Sequence, residues 1–139
     1  MKDWALILGS SSGFGAATAR ELAKHKINIY GIHLDRRSAM DDVNNLIDDL
    51  KKEGIEVIFK NISATDENSR KMIITELLSM NNIRIKIVLH SLAFGALKPV
   101  IDIDKTKILN QKQIEMTLNV MANSLIYWIQ NLFNNSKNK

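Results

Sequence analysis

A chain of 139 residues has room for one domain with a real hydrophobic core. Its 45% hydrophobic and 24% charged residues, with a mean hydropathy of −0.10, exclude a disordered chain. The formal net charge, 19 − 15 = +4, is spread along the sequence and over the Lys137–Lys139 end. It is not gathered with aromatics into a stripe, so nucleic acid is not the expected partner, whereas phosphate-bearing ligands stay open. No apolar run approaches the roughly 20 residues that cross a bilayer, so no membrane partner is expected. There is no cysteine, and Met1-Lys2-Asp3-Trp4 enters a strand-like run without a signal-peptide layout, which makes the cytoplasm the expected compartment.

In chain order, Trp4 to Leu8 is predicted as a first strand, followed by a glycine-containing turn and a helix from about Gly13 to Lys26. Phe14, Ala17, Leu22 and Ala23 suit one buried face of that helix. Ile27 to His33 reads as the second strand. Ser38 then stands as a helix cap before Met40, Val43, Leu46, Ile47 and Leu50, which recur at helical spacing until Gly54. Glu56 to Lys60 is a third strand, and Glu67 to Met80 a helix with Met72, Ile73, Leu77 and Leu78 inward. Ile85 to His90 makes the fourth strand. A loop around Pro99 leads to one last helix, about 111–133, with a core-facing stripe of Met116, Val120, Leu125, Ile126 and Ile129 and with Trp128 at an interface.

Strands alternating with helices predict an α/β fold, a Rossmann-type three-layer sandwich. Right-handed crossovers give about four parallel strands in the order 3-2-1-4. One domain over 1–133 with a polar tail over 134–139 is the expected organisation. A ligand belongs at the carboxyl ends of the strands, and there lies Gly9-Ser10-Ser11-Ser12-Gly13-Phe14-Gly15, closing a strand and opening a helix. Glycines allow a tight turn and close backbone approach to a pyrophosphate, and the helix N-terminus supplies unpaired N–H donors and a favourable dipole. A G-x-x-x-G-x-G match alone is weak, since small residues also serve a bare turn; the strand, helix and second strand at the expected lengths strengthen it.

These residues resemble the short-chain dehydrogenase/reductase family, whose glycine motif has this spacing. Asn61-Ile62-Ser63 ends the third strand where the family commonly has Asp-Val-Thr, its first residue near the adenine. His90-Ser91-Leu92-Ala93 stands where Asn-Asn-Ala-Gly is common, and its His-Ser start is similar to the enoyl-acyl-carrier-protein reductases. Asn119 matches the family's structural asparagine, and Ser124 falls where enoyl reductases carry a serine, so both are possible supporting positions. Together with the loop, the resemblance implies a nicotinamide dinucleotide site made of Gly9, Ser11, Ser12, Gly13, Phe14, Gly15, His33, Asp35, Arg36, Asn61, Ile62, Ser91 and Ala93.

The family's catalytic step uses a Tyr-x-x-x-Lys, absent here: Tyr30 is followed four residues on by Leu34, and Tyr127 by Asn131. Both tyrosines read as packing residues, and no catalytic residue is assigned. The chain is expected to be a truncated, nucleotide-binding part of a carbonyl or enoyl reductase, without turnover alone.

Cofactor choice is expected at the end of the second strand, where an acid favours NAD and an arginine the 2′-phosphate of NADP. Eighteen residues beyond Gly15 stands His33, not an acid, and Arg36 and Arg37 follow. That leans to NADP, although the arginines equally suit a solvated loop, and Asp35 suits either an ion pair with one of them or the ribose itself. His90 could be a base but reads better as a hydrogen-bonded strand end, and with His25 and His33 it forms no metal spacing. Ser91 has no His/Asp partner spacing that would make it a nucleophile.

Leu118, Met121, Leu125, Trp128, Leu132 and Phe133 carry more apolar surface than one side of a small sheet covers. The expected partner is a second copy joined through the last helix (110–133), or a separately encoded C-terminal half bringing the missing tyrosine and lysine. A non-enzymatic nucleotide-binding or interaction module stands beside these readings.

Overall fold

The computed structural model describes residues 1–136 and divides into two compact units, residues 1–91 and a second unit from Leu92 onward. The first runs β1 (Lys2–Leu8), α1 (Gly13–Lys24), β2 (Asn28–His33), α2 (Met40–Lys52), β3 (Val57–Asn61), α3 (Glu67–Ser79) and β4 (Ile83–His90). All four strands are parallel, in the order β3-β2-β1-β4, the sheet predicted from the crossover rule.

Strand alternation divides the core. Ala5 and Ile7 of β1 and Ile29 of β2 pack against Ala16, Ala19 and Ala23 of α1 and Leu46 and Leu50 of α2. Trp4, Leu6, Leu8 and Tyr30, equally buried, point to the other face. There the Tyr30 hydroxyl lies beside Glu76 of α3, whose Ile73, Ile74 and Leu77 are buried. Helices on both faces make this unit the three-layer α/β sandwich. Each buried leucine of this kind stabilises the fold by about 1.5–3 kcal/mol.

Two helix faces differ from those expected of the sequence. Phe14 and Ala17 of α1 are exposed, and the buried face is Gly15, Ala16, Ala19 and Ala23. Small residues win because this helix sits so close to the strands that only they fit beneath it. In α3, Met72 is exposed and Ile74 is buried in its stead. Ser38 is not the cap of α2; a 3-10 turn over Arg37–Ala39 leads in, and Ala39 occupies the cap position.

β1 begins two residues earlier than its apolar run. Asp3 explains this: its carboxylate binds Arg84 at 2.6 Å and Lys86 at 3.0 Å, both on β4. Asn28 works beside it, donating to the Asp3 carbonyl at 3.2 Å while its side-chain oxygen accepts from the Glu56 N–H at 2.8 Å. One side chain thus bridges the segments that begin β1 and β3.

In the second unit, residues 92–110 are irregular, and Thr117 pins their start by accepting from the Ala96 N–H at 3.3 Å and filling the space where Gly95 lacks a Cβ. An Asn110/Gln113 capping box opens α4 (Gln111–Leu118). A π-helical turn over Asn119–Asn123 comes next, and α5 (Ser124–Ser136) continues from it. The single predicted helix is therefore interrupted. A π turn takes up an extra residue and rotates the downstream helix by about 100°. The predicted stripe fails beyond it: Leu125, Ile126 and Ile129 are exposed, while Ser124 and Trp128 are buried. Asn134–Ser136, expected to be tail, continue α5, and residues 137–139 lie outside the described residues. No helix of the described residues is long and apolar enough to cross a membrane.

The hydrogen bonds from Lys86 and Arg84 hold the Asp3 carboxyl below its ordinary range. A depressed folded-state pKa contributes stability above the unfolded value and loses it as pH falls through the folded one. Asp3→Asn should therefore flatten the loss of stability below about pH 4 and lower stability at pH 7, read from urea unfolding at a series of pH values. An unchanged acid limb would remove Asp3 from this role.

Candidate functional site

The ends of β1 and β2 are tied by one acceptor. The Ile32 carbonyl takes the Gly9 N–H at 2.8 Å, the Ser10 N–H at 3.1 Å and the Ser10 hydroxyl at 3.2 Å. Ser10, not among the site residues expected from the sequence, is fully buried and anchors the loop; no sequence signal marks its hydroxyl as turned inward. On the other side of β1, the Ser91 N–H donates to the Leu8 carbonyl at 2.7 Å.

From that anchorage the chain turns with Gly9 at φ +87° and Gly13 at φ +53°, a region that costs other L-residues strain. Gly15 meets the returning loop so closely that an added Cβ would lie 1.8 Å from the Gly9 carbonyl oxygen. Above Gly13 the space is open, with nothing within 4 Å of a built Cβ. Ser12 is the N-cap residue of α1, but its side chain makes no cap hydrogen bond. The first-turn N–H groups lack intrahelical acceptors, no acidic side chain stands in that turn, and Phe14 is exposed beside them. These donors and the helix dipole suit a phosphate.

A second cluster forms beyond β2. His33 is buried and its Nδ1 lies 2.8 Å from an Asp35 carboxylate oxygen. Burial opposes ionisation of Asp35, but the Ser11 hydroxyl and the His33 ring, both turned to it, outweigh that and hold its pKa below the usual carboxylate range. An ionised carboxylate only accepts, so His33 Nδ1 carries the proton. Asn61 at the end of β3 makes a reciprocal pair with the Asp35 backbone, accepting from its N–H and donating to its carbonyl, each at 3.0 Å. The Ile62 N–H is engaged too, on the His33 carbonyl at 2.8 Å.

Ser11, His33, Asp35 and Asn61 are thus brought together. Asp35 pairs with neither arginine. Arg36 and Arg37 are exposed at the same turn and form no ion pair among the described residues. Their guanidinium groups are open to solvent. His90 and Ser91 end β4 half-buried. Ala93, Asn119 and Ser124 belong to the second unit, where Asn119 opens the π turn and the Ser124 hydroxyl donates to the Val120 carbonyl at 2.7 Å. Tyr30 is a core residue, its hydroxyl pushed up in pKa by burial and by Glu76.

Two substitutions separate geometry from strain. Gly15→Ala should unfold the chain at lower denaturant, because its methyl group collides with backbone. Gly13→Ala should keep the fold at a cost of about 1–2 kcal/mol, measured by urea denaturation. A Gly15→Ala protein as stable as its parent would contradict the packing described.

Compared with known proteins, the short chain dehydrogenase family profile matches residues 3–139. No relative was found among curated protein sequences. Among solved structures, the chain is similar to YwfH, an NADPH dependent reductase involved in bacilysin biosynthesis, with a TM-score of 0.78 and 19% identity over 96% of this chain and 49% of that one. It is also similar to the L-sorbose reductase of Gluconobacter frateurii, solved with NADPH and L-sorbose (TM-score 0.77, 17% identity, 94% and 46% covered). A third similar structure is a 3-oxoacyl-[acyl-carrier protein] reductase from Brucella melitensis (0.76, 17%, 96% and 50%). The chain spans about half the length of these structures. With the profile matching nearly every residue and the glycine loop in place after β1, the chain belongs to the short-chain dehydrogenase family.

Proposed function

We propose that this chain binds a nicotinamide dinucleotide, NADP in preference to NAD, as the nucleotide-binding part of a reductase acting on a carbonyl or enoyl group. One observation carries the reading: the uncapped first turn of α1, opened by glycines at positive φ, leaves backbone donors around clear space at the sheet's carboxyl end. Gly9, Ser12, Gly13, Phe14 and Gly15 would hold the pyrophosphate, with Ser91 just past the end of β4. The second cluster would meet the adenosine: His33 and Asp35 end β2, and Asn61 and Ile62 end β3. Bound there, the cofactor would supply or accept a hydride.

The exposed, unpaired Arg36 and Arg37 support NADP. Similar folds come with both dinucleotides, a reductase solved with NADPH and a xylitol dehydrogenase solved with NAD+, so the choice of NADP rests on the arginines. An enoyl rather than a carbonyl substrate rests on the His90-Ser91 strand end alone.

With no Tyr-x-x-x-Lys in its sequence, the chain by itself binds without turning over, and the proton-donating group comes from elsewhere. Leu118, Met121, Ile126 and Phe133 are exposed on α4, the π turn and α5. That apolar surface supports association of this unit with a second copy or with a chain carrying the missing half. The interaction-module reading differs only in having no such complement.

Isothermal titration with NADPH and NADH tests this. Saturable binding is expected, tighter for NADPH, with Arg36→Ala/Arg37→Ala weakening NADPH on the order of tenfold and NADH little. Steady-state NADPH oxidation with carbonyl and enoyl substrates should be absent, and light scattering on the same sample should show more than a monomer. Binding of neither dinucleotide would overturn the reading; tighter NADH would overturn the choice of NADP, and robust turnover the missing proton donor.

A further inference from the structure

The glycine loop and the two arginines leave one charge unaccounted for. Asp35 stands between them, ionised, immediately before the arginines that would take a 2′-phosphate. A free carboxylate there would accept hydrogen bonds from a ribose diol and repel a phosphate, opposing Arg36 and Arg37. This carboxylate is not free. The His33 Nδ1–H is 2.8 Å from one of its oxygens, Ser11 faces it from the glycine loop, and three quarters of the side chain is buried, with an exposure of 24%.

The donors are themselves held. His33 is the last residue of β2, buried with its side chain 2% exposed and its ring 5.9 Å from that of Phe59. The Asp35 backbone is clamped by Asn61 through both its N–H and its carbonyl. The ring cannot turn away without losing its part-buried hydrogen bond to Asp35, nor the turn without losing its pair with Asn61.

We infer that His33 is a specificity-determining residue: by engaging Asp35 it withdraws that carboxylate from the ribose 2′ position and leaves the position to Arg36 and Arg37. Asn61 is a positioning residue in the same device, since it fixes the backbone that aims the carboxylate at His33. This inference rests on the dinucleotide reading above and goes beyond it, because it assigns selectivity to the hold of a buried histidine on Asp35.

A double-mutant cycle on the full chain tests it, with NADPH and NADH titrated calorimetrically and adenosine 2′,5′-bisphosphate and AMP as minimal probes. His33→Phe removes the donor and keeps an aromatic ring; His33→Asn keeps a side-chain N–H near the Nδ1 position. His33→Phe should shift the NADPH:NADH affinity ratio toward NADH on the order of tenfold, and the bisphosphate:AMP ratio in the same sense. His33→Asn should keep the parent ratio. In an Asp35→Asn background, with no carboxylate to release, His33→Phe should leave the ratio unchanged. Thermal melts confirm that each variant is folded, and if His33→Phe alone fails to fold, Asn61→Ala, at the exposed end of β3, should shift the ratio toward NADH in the same sense by releasing the backbone that aims the carboxylate. Binding with a ratio indifferent to both residues overturns this inference and spares the dinucleotide reading. Loss of both ligands' binding in the parent chain overturns both.

Discussion

Everything at the candidate site depends on one close approach, Gly15 of α1 against the Gly9 carbonyl. Helix and strand end meet with no room for a methyl group, so the loop between them must double back, and it does so through glycines at positive φ. Because α1 is seated so near the sheet, its buried face is built from Ala16, Ala19 and Ala23. The same proximity aims its first-turn N–H groups past the end of β1. The packing of the core and the capacity to hold an anion are one constraint seen from two sides.

The Ile32 carbonyl extends that constraint to the neighbouring strand. By gathering Gly9, Ser10 and the Ser10 hydroxyl, it fixes the glycine loop relative to the end of β2. His33, Asp35 and Asn61 are built on that end. Hydrogen bonds running between loop, carboxylate and β3 therefore link the phosphate end and the adenosine end of the proposed site through short contacts. At the opposite ends of the strands, Asp3 and Asn28 perform the matching service for β4 and for the entry to β3.

The sheet was legible because its signals are local and repeated: β-branched runs, helical spacing and the handedness of crossovers leave few alternatives. The glycine loop was legible for the same reason. Ser10 was not, since nothing in a serine between Gly9 and Ser11 announces that its hydroxyl turns inward. Phe14 misled because apolar character suggests burial, yet here close packing favours alanine and the phenylalanine is displaced outward. In the last helix, the π turn at Asn119–Asn123 shifts the face of every later residue, and a strict 3.6-residue repeat drawn across it assigns Trp128 and Ile129 to the wrong sides. Sequence alone leaves Asp35 between an arginine and the ribose, because its engagement by His33 depends on a buried ring whose orientation no spacing encodes.

The most direct measurement is an amide chemical-shift titration of the isotopically labelled chain with NADPH. The N–H resonances of Ser12, Gly13, Phe14 and Gly15 are expected to shift together and saturate, with those around Asp35 following at the same ligand concentration. Saturating shifts confined to other parts of the chain, or none at these residues, would contradict the dinucleotide reading.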